Sequence, residues 1–180
     1  MKIERKWAMP NKWTFTIKPI KELLEEEIGS GMFIKGVWVD PFAGLNSPAQ
    51  ITNDLNPKMP TKYHLDALDF LKQRKDSSAD GVLFDPPYSP RQVKEMYEGV
   101  GKEVGDKTKM SYWSELKNEI RRIVKPNGKA ICFGWNSMGL GKNRGFEMKR
   151  VLLVAHGGNK NDTICTVETK IGGIKKVVNI

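Results

Sequence analysis

An α/β fold built on a mostly parallel sheet is predicted by three observations. The early β-rich segments are separated by crossover segments rather than by hairpin turns, the pattern of a parallel sheet. Three of those segments end on or just before an aspartate, Asp40, Asp54 and Asp85. The last two β-rich runs flank Gly157-Gly158-Asn159-Lys160-Asn161-Asp162, a hairpin turn by composition. Together they give a parallel sheet with one antiparallel edge.

Residues 1–12 read as an N-terminal arm. Pro19 to Ile28 reads as a helix, with Leu23, Leu24 and Ile28 on one side and the glutamates outward. Pro19 suits its first turn and Gly29-Ser30-Gly31 stops it. The first strand is expected over Phe33–Asp40, a shorter second over Gln50–Asp54, and a weak third at Tyr63-His64-Leu65. Leu68 to Arg74 can form a short helix, and Gly81–Asp85 a fourth strand. Residues 89–110 are polar and contain glycines, which predicts a mobile loop with at most one helical turn. Tyr112 to Val124 carries Trp113, Leu116, Ile120, Ile123 and Val124 on one stripe, an amphipathic helix. Lys125-Pro126-Asn127-Gly128 turns the chain into a fifth strand, Lys129–Gly134. A basic, glycine-rich loop follows at 135–146, then strands at Phe146–Ala155 and Thr163–Thr169 and a tail at 171–180.

The length of 180 residues suits one domain. Hydrophobic residues make up 39%, ordinary for a chain with a packed core. No apolar run reaches the ~20 residues of a membrane span, and no apolar segment follows Met1-Lys2-Ile3-Glu4-Arg5-Lys6, so no membrane association and no signal peptide are expected. The two cysteines, Cys132 and Cys165, lie in apolar runs and are expected as buried thiols of a cytoplasmic protein. No CxxC or His/Cys cluster is present, so no metal site is expected. The net charge of +9 favours a polyanionic partner, because neutralising phosphates releases counterions; plain solubility is the competing explanation.

Ligands of open parallel sheets bind beyond the carboxyl ends of the strands. Asp40, Asp54 and Asp85 fall there, with Asp66 just after the weak third strand. One such aspartate usually caps a turn. Four along one edge favour a cationic or hydroxyl-rich ligand over a phosphate. S-adenosylmethionine has that chemistry: an ammonium, a sulfonium and a ribose diol, with Asp54 placed to accept from the ribose.

Asp85-Pro86-Pro87-Tyr88 adds a reaction. Two prolines fix extended backbone and remove two N–H donors. Only acceptors remain, the Asp85 carboxylate and the Pro86 carbonyl. Accepting both hydrogens of an exocyclic amine localises its nitrogen lone pair, and the Tyr88 ring offers a face on which a base can stack. By itself the tetrapeptide fits a rigid turn with a packed tyrosine equally well.

Taken in order, these motifs resemble the S-adenosylmethionine-dependent amino-methyltransferases of DNA, particularly the adenine-N6 type with its DPPY motif. Asp40-Pro41-Phe42-Ala43-Gly44 is similar to the family's cofactor signature, and Asn53-Asp54-Leu55-Asn56-Pro57 and His64-Leu65-Asp66-Ala67 to its next two motifs. Trp13-Thr14-Phe15-Thr16-Ile17-Lys18-Pro19 is similar to its N-terminal cofactor segment, and Ile123 to Lys129 to its helix-to-strand passage. The likeness spans roughly residues 13–170. It implies a Rossmann-like class I methyltransferase sheet. It implies catalysis by Asp85, Pro86, Pro87 and Tyr88, and cofactor contacts from Phe15, Lys18, Pro19, Asp40, Pro41, Phe42, Gly44, Asp54, Leu55, Asp66 and Ala67. The expected substrate is adenine N6 in DNA. The alternatives are an RNA amino-methyltransferase and an inactive nucleic-acid-binding relative.

The chain departs from that family in three places. Asn46 stands where a second glycine is usual, which asks asparagine for left-handed backbone. Only Pro41 to Ala49 separate the first two strands, and Pro57 and Pro60 interrupt the next connection. Crossover helices are therefore expected to be reduced in the N-terminal half. No separate target-recognition domain is evident. The expected nucleic-acid contacts are Arg91, Lys94, Trp135, Asn136, Lys142 and Arg144, with a homodimer or a recognition subunit as further partners. The compact size resembles phage forms, which implies the cytoplasm of a bacterial, archaeal or phage-infected cell.

Overall fold

A computed structural model describes residues 1–172; most of the expected tail at 171–180 lies outside them. Seven strands form one sheet: β1 Lys2–Trp7, β2 Trp38–Asp40, β3 Ile51–Thr52, β4 Ala79–Phe84, β5 Val124–Gly134, β6 Phe146–Ala155 and β7 Thr163–Lys170. Their spatial order is β1-β6-β7-β5-β4-β2-β3. Pairings are parallel except that β7 runs antiparallel to both β5 and β6. The antiparallel strand expected at an edge is therefore interior. The hairpin folds back, so that β7 inserts beside β5 and β6 again points the way the parallel strands do.

The first correction concerns the expected N-terminal arm, because residues 2–7 are strand β1, paired with β6 from Lys2↔Arg150 to Trp7↔Ala155. Its charged residues concealed it. Glu4 and Lys6 turn toward helix α1 (Lys18–Ile28), where Arg150 binds Glu4 and Glu26 at 2.6 Å each and Lys6 binds Glu22 at 2.8 Å. An edge strand bonded on one side needs no apolar alternation when ion pairs anchor it. After β1, His156 fixes the chain by bonding the Ala8 carbonyl at 2.8 Å and Thr163 Oγ1 at 2.9 Å.

Helix α1 buries Ile20, Leu23, Leu24 and Ile28 and stops at Gly29, whose φ of 90° suits glycine. It packs on one sheet face with Trp38, Leu83, Ile131, Leu152, Val154, Cys165 and Val167. Helices α2 (Ala67–Lys72) and α4 (Met110–Ile123) cover the other face over β2, β4 and β5, through Phe70, Leu71, Leu116, Ile120 and Ile123. Both cysteines are buried free thiols, and desolvation pushes their pKa values up.

The N-terminal half is compressed as expected. β2 is three residues rather than the predicted eight: a turn of 3-10 helix ends at Phe33, Gly36 turns the chain at φ 82°, and the Val37 N–H goes to the Asp80 side chain rather than to a strand. No helix joins β2 to β3, and the weak third strand is a single parallel bridge, Asn53↔Tyr63. Asn53 compensates for the missing helix. Its buried amide donates to the Pro41 and Leu65 carbonyls and accepts the Leu65 N–H. The predicted turn at 125–128 is a bulge inside β5, set between the pairs Ala79↔Val124 and Gly81↔Lys129 and turned by Asn127 at φ 64°.

A second correction concerns residues 89–110. Pro90–Glu98 is helix α3, and Gly105–Thr108 adds a turn of 3-10 helix. Ser89 accepts the Gln92 N–H as N-cap, Pro90 opens the first turn, and Val93 and Tyr97 are buried. Among the described residues no helix is long and apolar enough to cross a membrane.

Candidate active site

The ends of β2, β3 and β4 converge, and so do the aspartates beyond them. Their roles differ. Asp40 is fully buried and organises the loop after β2: one oxygen accepts the Phe42 N–H at 2.9 Å, the other the Ser47 hydroxyl at 2.6 Å. Desolvation pushes its pKa up to about 7. Asp54 lies at the cavity edge. It accepts the Gly44 N–H at 3.0 Å and the Asn56 N–H at 2.8 Å, while burial raises its pKa. Gly44 turns the loop at φ 54°, and a Cβ there would come within 3.3 Å of the Trp13 indole. Asn46 does not take the left-handed backbone expected of it, since Gly44 alone makes the turn.

Asp66 is engaged elsewhere. It caps α2 through the Leu68 N–H and receives the hydroxyls of Tyr97 at 2.5 Å and Tyr112 at 3.1 Å. Lys107 Nζ stands 3.2 Å away. Burial pushes its pKa up, but the Tyr97 hydroxyl and the Lys107 ammonium outweigh burial and hold it low. The tyrosines come from α3 and α4, so Asp66 ties the α3 segment down.

Asp85 follows β4 directly. Its half-buried carboxyl accepts the Tyr88 hydroxyl, and desolvation pushes its pKa up to about 6. Gln92 of α3 accepts the Tyr88 N–H at 2.6 Å, which fixes the motif from behind. The Tyr88 ring meets Trp135 edge to face at 5.7 Å.

Pro86, Pro87 and Tyr88 line two cavities of about 260 Å³ each. The first also takes in Asp85, Asp54, Gly44, Phe42, Leu55 and Phe15. The second is more apolar and takes in Trp113, Lys117, Trp135, Asn136 and Met138. A buried carboxylate shapes its rim, because Glu168 accepts the Leu140 N–H at 2.5 Å and the Gly141 N–H at 3.0 Å.

Of the residues expected at the cofactor, Phe15, Phe42, Gly44, Asp54 and Leu55 line the first cavity, and all four catalytic candidates stand with them. Lys18, Pro19, Asp40, Pro41, Asp66 and Ala67 do not line it. Pro19 and Ala67 are packed in helices, and Lys18 faces outward. Of the expected nucleic-acid contacts, Trp135 and Asn136 line the second cavity. Arg91 and Lys94 lie on the exposed face of α3, paired with Glu95 and Glu98. Arg144 is pinned inward by Asn118 and Ser114, whereas Lys142 is exposed. Trp13 and Thr14, from the segment similar to the family's N-terminal cofactor segment, line it as well, and Lys12, Gln92 and Met96 join the lining without a signal in those motifs. The Ser89-Pro90 helix start, followed by Val93 and Tyr97, was the available signal for the last two.

No family model matches the sequence, and no curated protein matches it. Solved structures match in fold. The 1,6-didemethyltoxoflavin N1-methyltransferase of Burkholderia thailandensis, crystallised with that compound and S-adenosylhomocysteine, aligns at TM-score 0.58 and 11% identity over 86% of this chain and 77% of that one. The N-methyltransferase NodS of Bradyrhizobium japonicum WM9 aligns at 0.54 and 8% identity over 86% and 95%. TrmN of Thermus thermophilus aligns at 0.53 and 15% identity over 86% of this chain, which spans 49% of TrmN. The fold is the Rossmann-like sheet of these methyltransferases.

Proposed function

We propose that this chain is an S-adenosylmethionine-dependent methyltransferase acting on the exocyclic amine of a nucleic-acid base, foremost adenine N6 in DNA. The observation that carries this reading is the pair of acceptors at Asp85 and Pro86, with the more polar cavity on one side and the aromatic one on the other. A methyl donor and its acceptor need two adjoining compartments.

The first cavity fits the cofactor. Asp54 offers its edge a carboxylate for a diol, and Phe42, Leu55 and Phe15 give apolar walls. Asp66, committed to Tyr97 and Tyr112, leaves the adenine to be held by those walls. The cofactor supplies an electrophilic methyl group.

The remaining work falls to the chain's own residues. The Asp85 carboxyl ionises at about 6 and is an acceptor at neutral pH. One oxygen is steadied by the Tyr88 hydroxyl, and a carboxylate keeps further lone pairs for an amine hydrogen. The Pro86 carbonyl takes the other hydrogen, and no backbone N–H from Pro86 or Pro87 competes. Trp113 and Trp135 give the second cavity flat sides for an extruded base.

Transfer of a tritiated methyl group to DNA and to RNA, with nucleoside analysis of the product, tests the assignment. N6-methyladenine in DNA is the expected product. Asp85→Ala should abolish transfer while calorimetric cofactor binding persists. Absence of cofactor binding, with and without nucleic acid, or a wild-type rate in Asp85→Ala, would overturn it.

A further inference from the structure

Among the described residues, no helix covers the second face of the sheet at the β1, β6 and β7 end. Helix α1 packs under β6 and β7 through Leu152, Val154, Cys165 and Val167. The alternate side chains, among them Leu153 and Ile164, point to the opposite face. The connection from β5 to β6 holds only a turn of 3-10 helix at Lys142–Arg144; its loop closes over Glu168 at one end of that face, and among the described residues no helix covers Leu153 and Ile164 at the other. The result is a groove of about 540 Å³ between β1 and the β6–β7 hairpin, with Leu153 and Ile164 in its lining.

Two tryptophans and two basic residues stand in its remaining lining, beside small and polar residues of the hairpin turn. Trp7 and Trp135 both reach into it, at 64% and 40% exposure. Large exposed indoles are unusual on a soluble surface without a partner. Arg5 and Lys160 flank them, both exposed and without a carboxylate at ion-pair distance among the described residues. The acid in the lining, Asp162, turns one oxygen to the hairpin, where it accepts the His156 N–H at 3.0 Å. Trp135 also lines the aromatic cavity behind Tyr88. The groove and that cavity therefore meet at one indole.

We infer that this groove binds the unpaired nucleic-acid strand next to the target base, with a neighbouring base stacked on Trp7 and phosphates held by Arg5 and Lys160. The inference rests on the nucleic-acid reading above and adds a strand path to it. Indoles stack on any base and guanidinium and ammonium groups neutralise phosphates, so the site reads strand character rather than sequence. It also lets an extruded base enter the second cavity while its neighbour stays stacked outside.

Fluorescence anisotropy with a labelled single-stranded DNA dodecamer, and the same sequence in RNA, tests this on the full chain. Trp7→Ala should weaken binding about tenfold, as loss of one stacked base does. The double variant Arg5→Gln, Lys160→Gln should lower the slope of log K against log salt by about 1.4, roughly 0.7 for each phosphate no longer neutralised. Both variants should melt and bind cofactor like the wild type. Unchanged affinity and slope in both, with wild-type methyl transfer intact, would overturn the groove and leave the proposed function standing. Trp7-dependent binding without any methyl transfer would support the groove and sink the proposed function. A wild-type chain that binds neither strand would overturn both. A dimer that dissociates on Trp7→Ala with oligonucleotide binding unchanged would assign the face to a second copy and overturn the inference.

Discussion

Replacing Glu168 by glutamine probes what holds the rim of the second cavity. Glu168 is 1% exposed, on β7, and its two oxygens take the Leu140 and Gly141 N–H groups at 2.5 and 3.0 Å. Gly139, at φ 53°, leaves no room there for a Cβ beside the carboxylate. Glutamine has the same shape but one acceptor oxygen. Its amide nitrogen must face one of the two N–H groups, which loses a charge-assisted bond and orphans a buried donor. The bond contributes about 1.5 kcal/mol or more and the orphan costs about 1–3 kcal/mol, so the loss should be roughly 3 kcal/mol. For a chain of this size that is a fall in Tm of roughly 6–12 °C. Urea unfolding at pH 7 gives the free energy and calorimetry the Tm. Cofactor affinity should hold, because the first cavity does not include this loop. A loss under about 1 kcal/mol would refute the reasoning, leaving the Lys117 ammonium, 2.7 Å from the Gly139 carbonyl, as the tie that holds the rim.

Three further outcomes are expected. Asp40 ionises at about 7 when folded and near 3.8 otherwise, so the folded chain holds more protons between those values and stability falls as pH rises through that window. The loss is at most about 4 kcal/mol. Asp40→Asn, whose amide can donate to Ser47 and still accept from Phe42, should gain on the wild type between pH 4 and 8 in parallel urea titrations, and a pH-independent difference would contradict this. Because Asp85 must be deprotonated to accept an amine hydrogen, kcat/KM for methyl transfer should climb with pH through about 6; a profile flat from pH 5 to 7 would remove Asp85 from that role. Asp54→Asn, which loses one of the two acceptors for the Gly44 and Asn56 N–H groups and the charge facing a diol, should weaken S-adenosylmethionine binding about tenfold in calorimetry, and an unchanged Kd would place the ribose elsewhere.

Local patterns carried much of the fold. Helices α1 and α4 and the β6–β7 hairpin follow from apolar periodicity bounded by Pro, Gly and turn residues, which act within a few positions. The reduced crossovers were legible because nine residues cannot house a helix and a return. Strand β1 was not legible, since its stability comes from Arg150 and the α1 glutamates far along the chain. Helix α3 was hidden by polar residues, although its cap and first-turn proline were present in Ser89-Pro90.

The aspartates divide the two levels most sharply. That Asp40, Asp54 and Asp85 would gather at one sheet edge was determined by sequence alone, because parallel strands end on the same side. Which of them faces a cavity was decided only by tertiary packing. Ser47 and the Phe42 amide close over Asp40, Tyr97 and Tyr112 take Asp66, and Asp54 and Asp85 stay open. A carboxylate's role depends on the donors that surround it, and those arrive from distant segments. The same holds for Asp85-Pro86-Pro87-Tyr88. Its lack of N–H donors is written in two prolines, but its place between two cavities comes from α3, α4 and the loop at Trp135 closing around it.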